Sequence, residues 1–388
     1  MATLYDTLNV PQTADTESIR QSYRRLVRRY HPDVNPDPAS HDVMARINDA
    51  FTVLSDPSSR MEYDAMLAGG MGVEVVERPA WTPKAPLLVR LERRIKAHRT
   101  PIYGVGFSAP STLVTSSFDN EVCWWNAETG ASVRREKLES GVVSTLRPIE
   151  GDGIVTAGVA ENLLTVSRIG AKGVESFRNA TAEWASCAAV SPDGTRLATG
   201  SIHHRLLVTD TGSGGPVFAR DDHTGSVTAV AWSEDGKYLI SGSSDTSVKI
   251  RDATSGKVLV NLSAVRSTVT AMAMSADNRY LAVAAVDLSI RVFRMSDGQL
   301  QKVLFGHRLP IEAIAFHPNG WLFASGARDG KIGLWAASEG IGQLQIEASH
   351  QPILCIAFNE DGSLLAEGGL DKTARIWRMT VREPETPN

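Results

Sequence analysis

Two periodicities divide the chain. Near its start, large apolar residues recur every three or four positions at Ile19, Tyr23, Leu26, Val27 and Tyr30, the spacing of one helix face. Met44, Ile47, Phe51 and Leu54 repeat the pattern, so a second helix is expected over roughly 41–55. The two would pack as an antiparallel pair, with Leu4, Tyr5 and Leu8 closing one end and a short last helix in DPSSRMEYDAML. Pro32 ends the first helix, because proline lacks an amide donor and restricts the residue before it.

After GGMGVEVVERPAWTPKAP at 69–86, a stretch whose glycines and prolines break every period, the texture changes. Segments such as SVTAVAWSEDGKYLISGSSDTSVKIRD and PIEAIAFHPNGWLFASGARDGKIGLWA alternate or run apolar for five or six residues between turns, which reads as strands. The pattern repeats from Pro101, Gly141, Trp184, Ser226, Thr268, Pro310 and Pro352, mostly at steps of 42 residues. Each unit holds three clear strands, a turn of the EDG, ADN or PNG type, an Asp turn and a weaker fourth strand. The last unit stops after its third strand, and LLVRLERR at 87–94 precedes the first. Closing a ring by laying this strand on the last unit would remove an exposed sheet edge.

Composition suits such a body: 388 residues, 42% apolar and 22% charged, with a net charge of -4. No overall basic excess points to nucleic acid or an anionic membrane as partner. MATLYDTLNV lacks a basic region followed by an apolar one, and no run of 18 apolar residues appears, which makes cytoplasm the expected location. Cys123, Cys187 and Cys355 are too scattered for a disulfide framework or a CxxC metal site and are expected to be buried as small apolar groups.

The head carries local charge of another kind. Residues 1–68 hold seven arginines against ten carboxylates, yet Arg20, Arg24, Arg25, Arg28 and Arg29 fall on one helix, directly before His31, Pro32 and Asp33. A solvated helix face explains the arginines by themselves; beside an exposed Pro-Asp turn they could also steer an acidic partner. No second histidine, cysteine or nucleophile accompanies His31.

The stretch LYDTLNVPQTADTESIRQSYRRLVRRYHPDVNPD, followed by ARINDAFTVLSDPSSRMEYD, resembles a complete J domain of the DnaJ co-chaperone family. The resemblance implies that His31, Pro32 and Asp33, with Arg20, Arg24, Arg25, Arg28 and Arg29, engage a DnaK-type heat-shock ATPase and stimulate its hydrolysis of ATP. Neither a Gly/Phe-rich segment nor a cysteine-rich zinc module follows.

The repeats resemble a seven-bladed WD-repeat β-propeller. Asp245, Asp287, Asp329 and Asp371 recur every 42 residues, Asp119 joins them, and His98, His223 and His307 stand 21 or 22 residues before three of these. Thr115 with Trp125, and Ser325 with Trp335, complete two sets, and Trp377 holds the same place near the end. A lone His/Ser/Asp group could suggest a hydrolase, but recurrence in successive units argues for a buried structural network. The Asp position falls on Ala160 and His203 in two units, and the Trp position on Arg251 and Phe293 in two others. Those units are expected to rely on apolar packing instead.

The expected architecture is therefore multidomain: an all-α J domain at 1–68, a linker at 69–86, an all-β seven-bladed WD40-type propeller at 87–380 closed by strand 87–94, and a tail at 381–388. The expected function is a co-chaperone adaptor, with the propeller holding an unknown protein or peptide client. The alternative is a scaffold with a vestigial J domain. Catalytic residues, cofactors and metals are not expected, and no ATP-binding loop is visible.

Overall fold

The computed structural model describes residues 4–30, the single positions 47, 50, 51, 54 and 60, and residues 87–380 apart from 139–141, 150–152, 161–162, 171–172, 181–184, 263 and 338–343. Residues 1–80 and 81–388 form two separate compact units.

In the first unit, helix α1 (Leu4–Thr7) leads to helix α2 (Thr16–Tyr30). Asp15 starts α2 by accepting the amide of Ser18 at 2.7 Å, satisfying a donor that the helix leaves open. Its apolar stripe closes on a core of Tyr5, Leu8, Ala14, Ile19, Ile47, Ala50 and Leu54, and Tyr23 stacks on Phe51 at 3.9 Å. Positions 47, 50, 51 and 54 are helical, and their spacing places them on one face. The Ser22 hydroxyl donates to the Leu8 carbonyl at 2.6 Å, and Arg60 donates to the Tyr5 hydroxyl at 2.9 Å. The last helix expected from DPSSRMEYDAML lies outside the described residues apart from Arg60.

The second unit is a ring of seven four-stranded antiparallel sheets. Blade 1 spans Ile102–Ala109 to Ser132–Lys137, blade 2 Val142–Ile149 to Gly173–Ala180, and blade 3 Ala185–Val190 to Pro216–Arg220. Blade 4 runs from Val227–Trp232 to Val258–Leu262, blade 5 from Val269–Met274 to Leu300–Leu304, and blade 6 from Ile311–Phe316 to Leu344–Glu347. Blade 7 has Ile353–Phe358, Leu364–Gly369 and Thr373–Thr380, and takes its outer strand from Leu88–Lys96. That strand pairs from Leu88 with Thr380 to Lys96 with Thr373, with a bulge between Leu91 and Arg93. First strands of successive blades lie side by side, and the first strand of blade 7 meets that of blade 1, so the ring is closed.

The second strands pack tightly on the next blade at one repeat position. A Cβ on Gly200, Gly242, Gly326 or Gly368 would sit 2.5–2.6 Å from Val227, Val269, Ile353 or Ile102 of the next blade. Blade 5 has Ala284 at the same repeat position, fully buried, so one methyl is the most that any of these five positions carries.

Two turns repeat around the ring. Between first and second strands the left-handed position is filled by Gly194, Gly236, Asn278, Gly320 and Gly362, residues that tolerate positive φ. Between second and third strands it falls on Asn120, His204, Thr246, Leu288, Gly330 and Lys372. Thr and Leu resist this conformation, and what holds it in five of these turns is the aspartate just before. Asp119, Asp245, Asp287, Asp329 and Asp371 each accept the amide two residues on at 2.9–3.1 Å.

Candidate functional site

On the helical unit, Arg20 and Arg25 of α2 are exposed, and Arg25 is steadied by a 3.0 Å bond to the Ser22 hydroxyl. Arg24, Arg28 and Arg29 continue the same helix; their side chains, and His31, Pro32 and Asp33 altogether, lie outside the described residues. The described part of the surface is thus a cationic helix face on a small apolar core.

In the propeller, two blades bring together complete four-residue networks. In blade 6, His307 Nδ1 lies 3.1 Å from Asp329, its Nε2 lies 2.7 Å from the Ser325 hydroxyl, and Trp335 Nε1 donates to that hydroxyl at 2.7 Å. In blade 1 the outer strand of blade 7 leads into His98, which meets Asp119 at 3.1 Å and Thr115 at 2.8 Å, while Trp125 donates to Thr115 at 2.9 Å. Proton direction follows from the ends. The carboxylate only accepts, so Nδ1 carries the proton and Nε2 accepts from the hydroxyl, which in turn accepts from the indole. The imidazole is then neutral, and burial lowers the pKa of His98 and His223. Asp119 and Asp329 also accept the amides of Arg99 and Arg308, tying the loop before each first strand to the Asp turn. With both ring nitrogens committed, these histidines are posts of the fold rather than bases.

Blade 4 keeps three of the four residues. His223 joins Asp245 at 3.1 Å and Ser241 at 2.9 Å, but Arg251 stands where the tryptophan would. Its guanidinium is fully buried and grips Asp222 in two bonds of 2.6 and 2.8 Å. The expectation of apolar packing in this blade is corrected: one donor has been exchanged for another, with a counterion supplied by the residue just before His223. That acid beside the histidine, together with Arg at the donor position, was the sequence signal. The Arg251 bonds hold the Asp222 carboxyl down at about 2. Asp222→Ala should lower stability by about 2 kcal/mol, less than a fully enclosed pair because Asp222 is 38% exposed. Adding Arg251→Trp should restore most of the loss by recreating the indole-to-Ser241 bond. Urea unfolding of the two variants checks both numbers; equal midpoints for single and double variants would contradict the exchange.

Blade 5 replaces the network throughout. Val265, Val283 and Phe293 occupy the His, Ser and Trp positions inside an apolar cluster, and Asp287 turns to Arg291 at 2.8 Å and Ser289 at 2.6 Å. Placing Asp287 in a histidine network is therefore corrected, because no imidazole reaches it.

Blade 7 departs furthest. Ser349 takes the histidine place and donates to Asp371 at 3.1 Å, while Glu367 takes the hydroxyl place, fully buried. Arg375 bridges the two acids, bonding Glu367 at 3.0 Å and Asp371. Trp377 is buried here, yet its Nε1, Glu367 Oε2 and Arg375 Nε have no hydrogen-bond partner. Asp371 and Trp377 thus do not share a network, since a carboxylate bound to arginine has replaced the hydroxyl that would join them.

Among the described residues, His98, Glu121 and Cys123 come within metal-ligand range of one another. They suit a metal poorly. Both His98 nitrogens are engaged, Glu121 pairs with Arg135 at 2.5 Å, and burial pushes the Cys123 thiol up to about 12. Cys187 and Cys355 are raised by burial too.

Comparison with known proteins follows the same division. The DnaJ domain model matches residues 3–64. The model of the WD domain, G-beta repeat, matches 90–126, and that of the anaphase-promoting complex subunit 4 WD40 domain matches 197–277 and 272–361. The chain is a DnaJ domain fused to a WD40 propeller. Its head is 53% identical over 60 residues to the chaperone protein DnaJ of Dictyoglomus thermophilum, a match covering 16% of this chain and 15% of that one. The chaperone protein DnaJ of Prochlorococcus marinus is 46% identical over 72 residues, 19% of each chain. DnaJ 1 of Aquifex aeolicus is 48% identical over 64 residues, 16% of this chain and 18% of its own. The chain spans less than a fifth of the length of these curated relatives, and the likeness to them is confined to the DnaJ domain. Among the described residues no helix is long and apolar enough to cross a membrane.

Proposed function

We propose that this protein is a co-chaperone adaptor: its DnaJ domain recruits a DnaK-type heat-shock ATPase and stimulates it, while the propeller holds a protein or peptide client. The observation that carries the reading is the fusion itself, a DnaJ domain at 3–64 in one chain with a closed ring whose histidine–aspartate pairs in blades 1, 4 and 6 are committed to the fold. The exposed Arg20 and Arg25 of α2 supply a cationic helix face for docking, and His31, Pro32 and Asp33 follow it in the sequence. The chain performs no covalent chemistry in this reading; ATP is bound and split by the partner. Joining the modules in one chain raises the effective concentration of client near the chaperone.

The test is single-turnover ATP hydrolysis by a purified DnaK-type chaperone with the full chain added. Wild type should stimulate hydrolysis about tenfold or more, equivalent to about 1.4 kcal/mol off the barrier, and His31→Gln and Asp33→Asn should return the rate to its basal value. Equal rates with wild type and variants would leave a scaffold with a vestigial J domain.

A further inference from the structure

Exposed apolar residues on the propeller are not scattered evenly. Phe118, Ile202, Val286 and Leu370 are 40–49% exposed, and all four stand at one repeat position, directly before the turn between second and third strands. They fall on blades 1, 3, 5 and 7, with Ser244 and Arg328 at the same place on blades 4 and 6. Seven is odd, so an every-second-blade pattern meets itself once around the ring. It does so where blade 7 adjoins blade 1, the two locked together by Ile102 lying against Gly368 and accepting from Cys355. Among the described side chains, Phe118 and Leu370 are the two of this set that come from neighbouring blades; the blade 2 side chain at this position lies outside the described residues.

That sector is also preorganised and cationic. Phe118 is stacked on Tyr103 at 4.0 Å with the rings 10° apart, which fixes its ring without covering it. Arg99 and Lys372 are exposed on the adjoining loops. The carboxylates of the same loops are turned inward: Asp119 serves His98, and Asp371 serves Arg375 and Ser349. At the other end of the blades the turns between first and second strands carry Asp193, Asp235, Asp277 and Asp361, of which Asp235 and Asp277 pair with Lys237 and Arg279.

The geometry points to the Phe118–Leu370 sector as a docking surface for an acidic peptide segment bearing one or two large apolar side chains. The apolar pair and the stacked tyrosine receive the anchors, and Arg99 and Lys372 pair with flanking carboxylates. A peptide fits better than an anionic bilayer, because the chain as a whole carries -4. The surface rests on the adaptor reading for the origin of the peptide, a client segment.

The experiment selects a phage-displayed library of random dodecapeptides on the immobilised full chain, then measures the enriched peptides by fluorescence anisotropy. Enriched sequences should be net acidic with at least one Leu, Ile, Phe, Tyr or Trp. Phe118→Ser or Leu370→Ser should each weaken binding about tenfold, while Ile202→Ser, an isolated position on blade 3, should change it less than about twofold. Higher salt should weaken it as well. Neutral or basic enriched peptides, a loss at Ile202 equal to that at Phe118, or no enrichment would overturn the surface. So would sedimentation with phosphatidylserine vesicles that depends on Phe118 in the absence of peptide binding. ATPase stimulation, read with the same variants, separates the two readings. Stimulation without acidic-peptide binding removes only the surface, and peptide binding without stimulation removes only the adaptor.

Discussion

Removing residues 87–96 should unfold the propeller at a temperature roughly 10–20 °C lower and make it prone to aggregate. The deleted segment is the outer strand of blade 7, paired along the whole of Thr373–Thr380. Leu87, Val89 and Leu91 pack around Trp377 and Met379, and Ile95 enters the cluster shared with blade 1. At about 1 kcal/mol for each of these four partly or fully buried groups, the lost packing amounts to roughly 4 kcal/mol. The damage reaches beyond one strand. Without it, Thr373–Thr380 becomes a bare edge, and the ring loses the pairing that ties its first residues to its last. All eight tryptophans lie beyond residue 80, so their fluorescence follows the propeller rather than the DnaJ domain. An unchanged thermal transition after the deletion would show that the ring holds without this strand.

Raising the pH from 5 to 8 should destabilise blade 7 through Glu367, and Glu367→Gln should abolish that part of the pH dependence. Burial pushes the Glu367 carboxyl from 4.5 up to about 7, against the opposing pull of Arg375, with Asp371 adding to the rise and Arg94 on the closing strand opposing it. The buried Cys355 thiol is the other titratable group coupled to it. A carboxyl with a raised folded pKa binds its proton more tightly when folded. Its favourable contribution is therefore complete below about 4.5 and is lost as pH climbs through 7. The change is about 2–3 kcal/mol across that window, a scale reasonable for a group almost wholly enclosed. His98, His223 and His317 work the other way. Burial lowers each, so their contribution is present above 6.5 and fades as pH falls. For this reason the informative quantity is the difference between wild type and Glu367→Gln. In urea titrations that difference should favour the glutamine variant by about 2 kcal/mol more at pH 8 than at pH 5. The same difference at both pH values would mean that Glu367 is charged, and compensated, throughout.

The two halves of the molecule were legible to different depths. Helix α2 could be read from Ile19, Tyr23 and Leu26, because a helix face is a matter of spacing within one segment. Blade number could be read from the 42-residue step and from turns such as EDG and PNG, where the left-handed residue is Gly or Asn. The second turn series was less open: Thr246, Leu288 and Lys372 hide a left-handed position that the preceding aspartate enforces. Among the network residues, His98 in the connection before the first strand meets Asp119 and Trp125 of blade 1 at a spacing that recurs in blade 6, so the repeat nearly implied their contact. Arg251 and Trp377 were different. One looked like a missing donor and found a partner 29 residues away in Asp222; the other looked like a present donor and was left without an acceptor.

From the sequence alone came the helical head, the repeated strands, the DnaJ resemblance and the histidine–aspartate pairs. All of these depend on contacts within one helix or one blade, where chain spacing dictates geometry. The tertiary structure alone decided which charges are buried and which edges are covered. Glu367 takes its high pKa from the packing of blade 7, Arg251 its counterion from the preceding loop, and Phe118 and Leu370 their place on neighbouring blades from the closure of an odd-numbered ring. Burial and closure arise from contacts between distant parts of the chain, and the free energy of a charge or an apolar surface is set by those surroundings rather than by its neighbours in sequence.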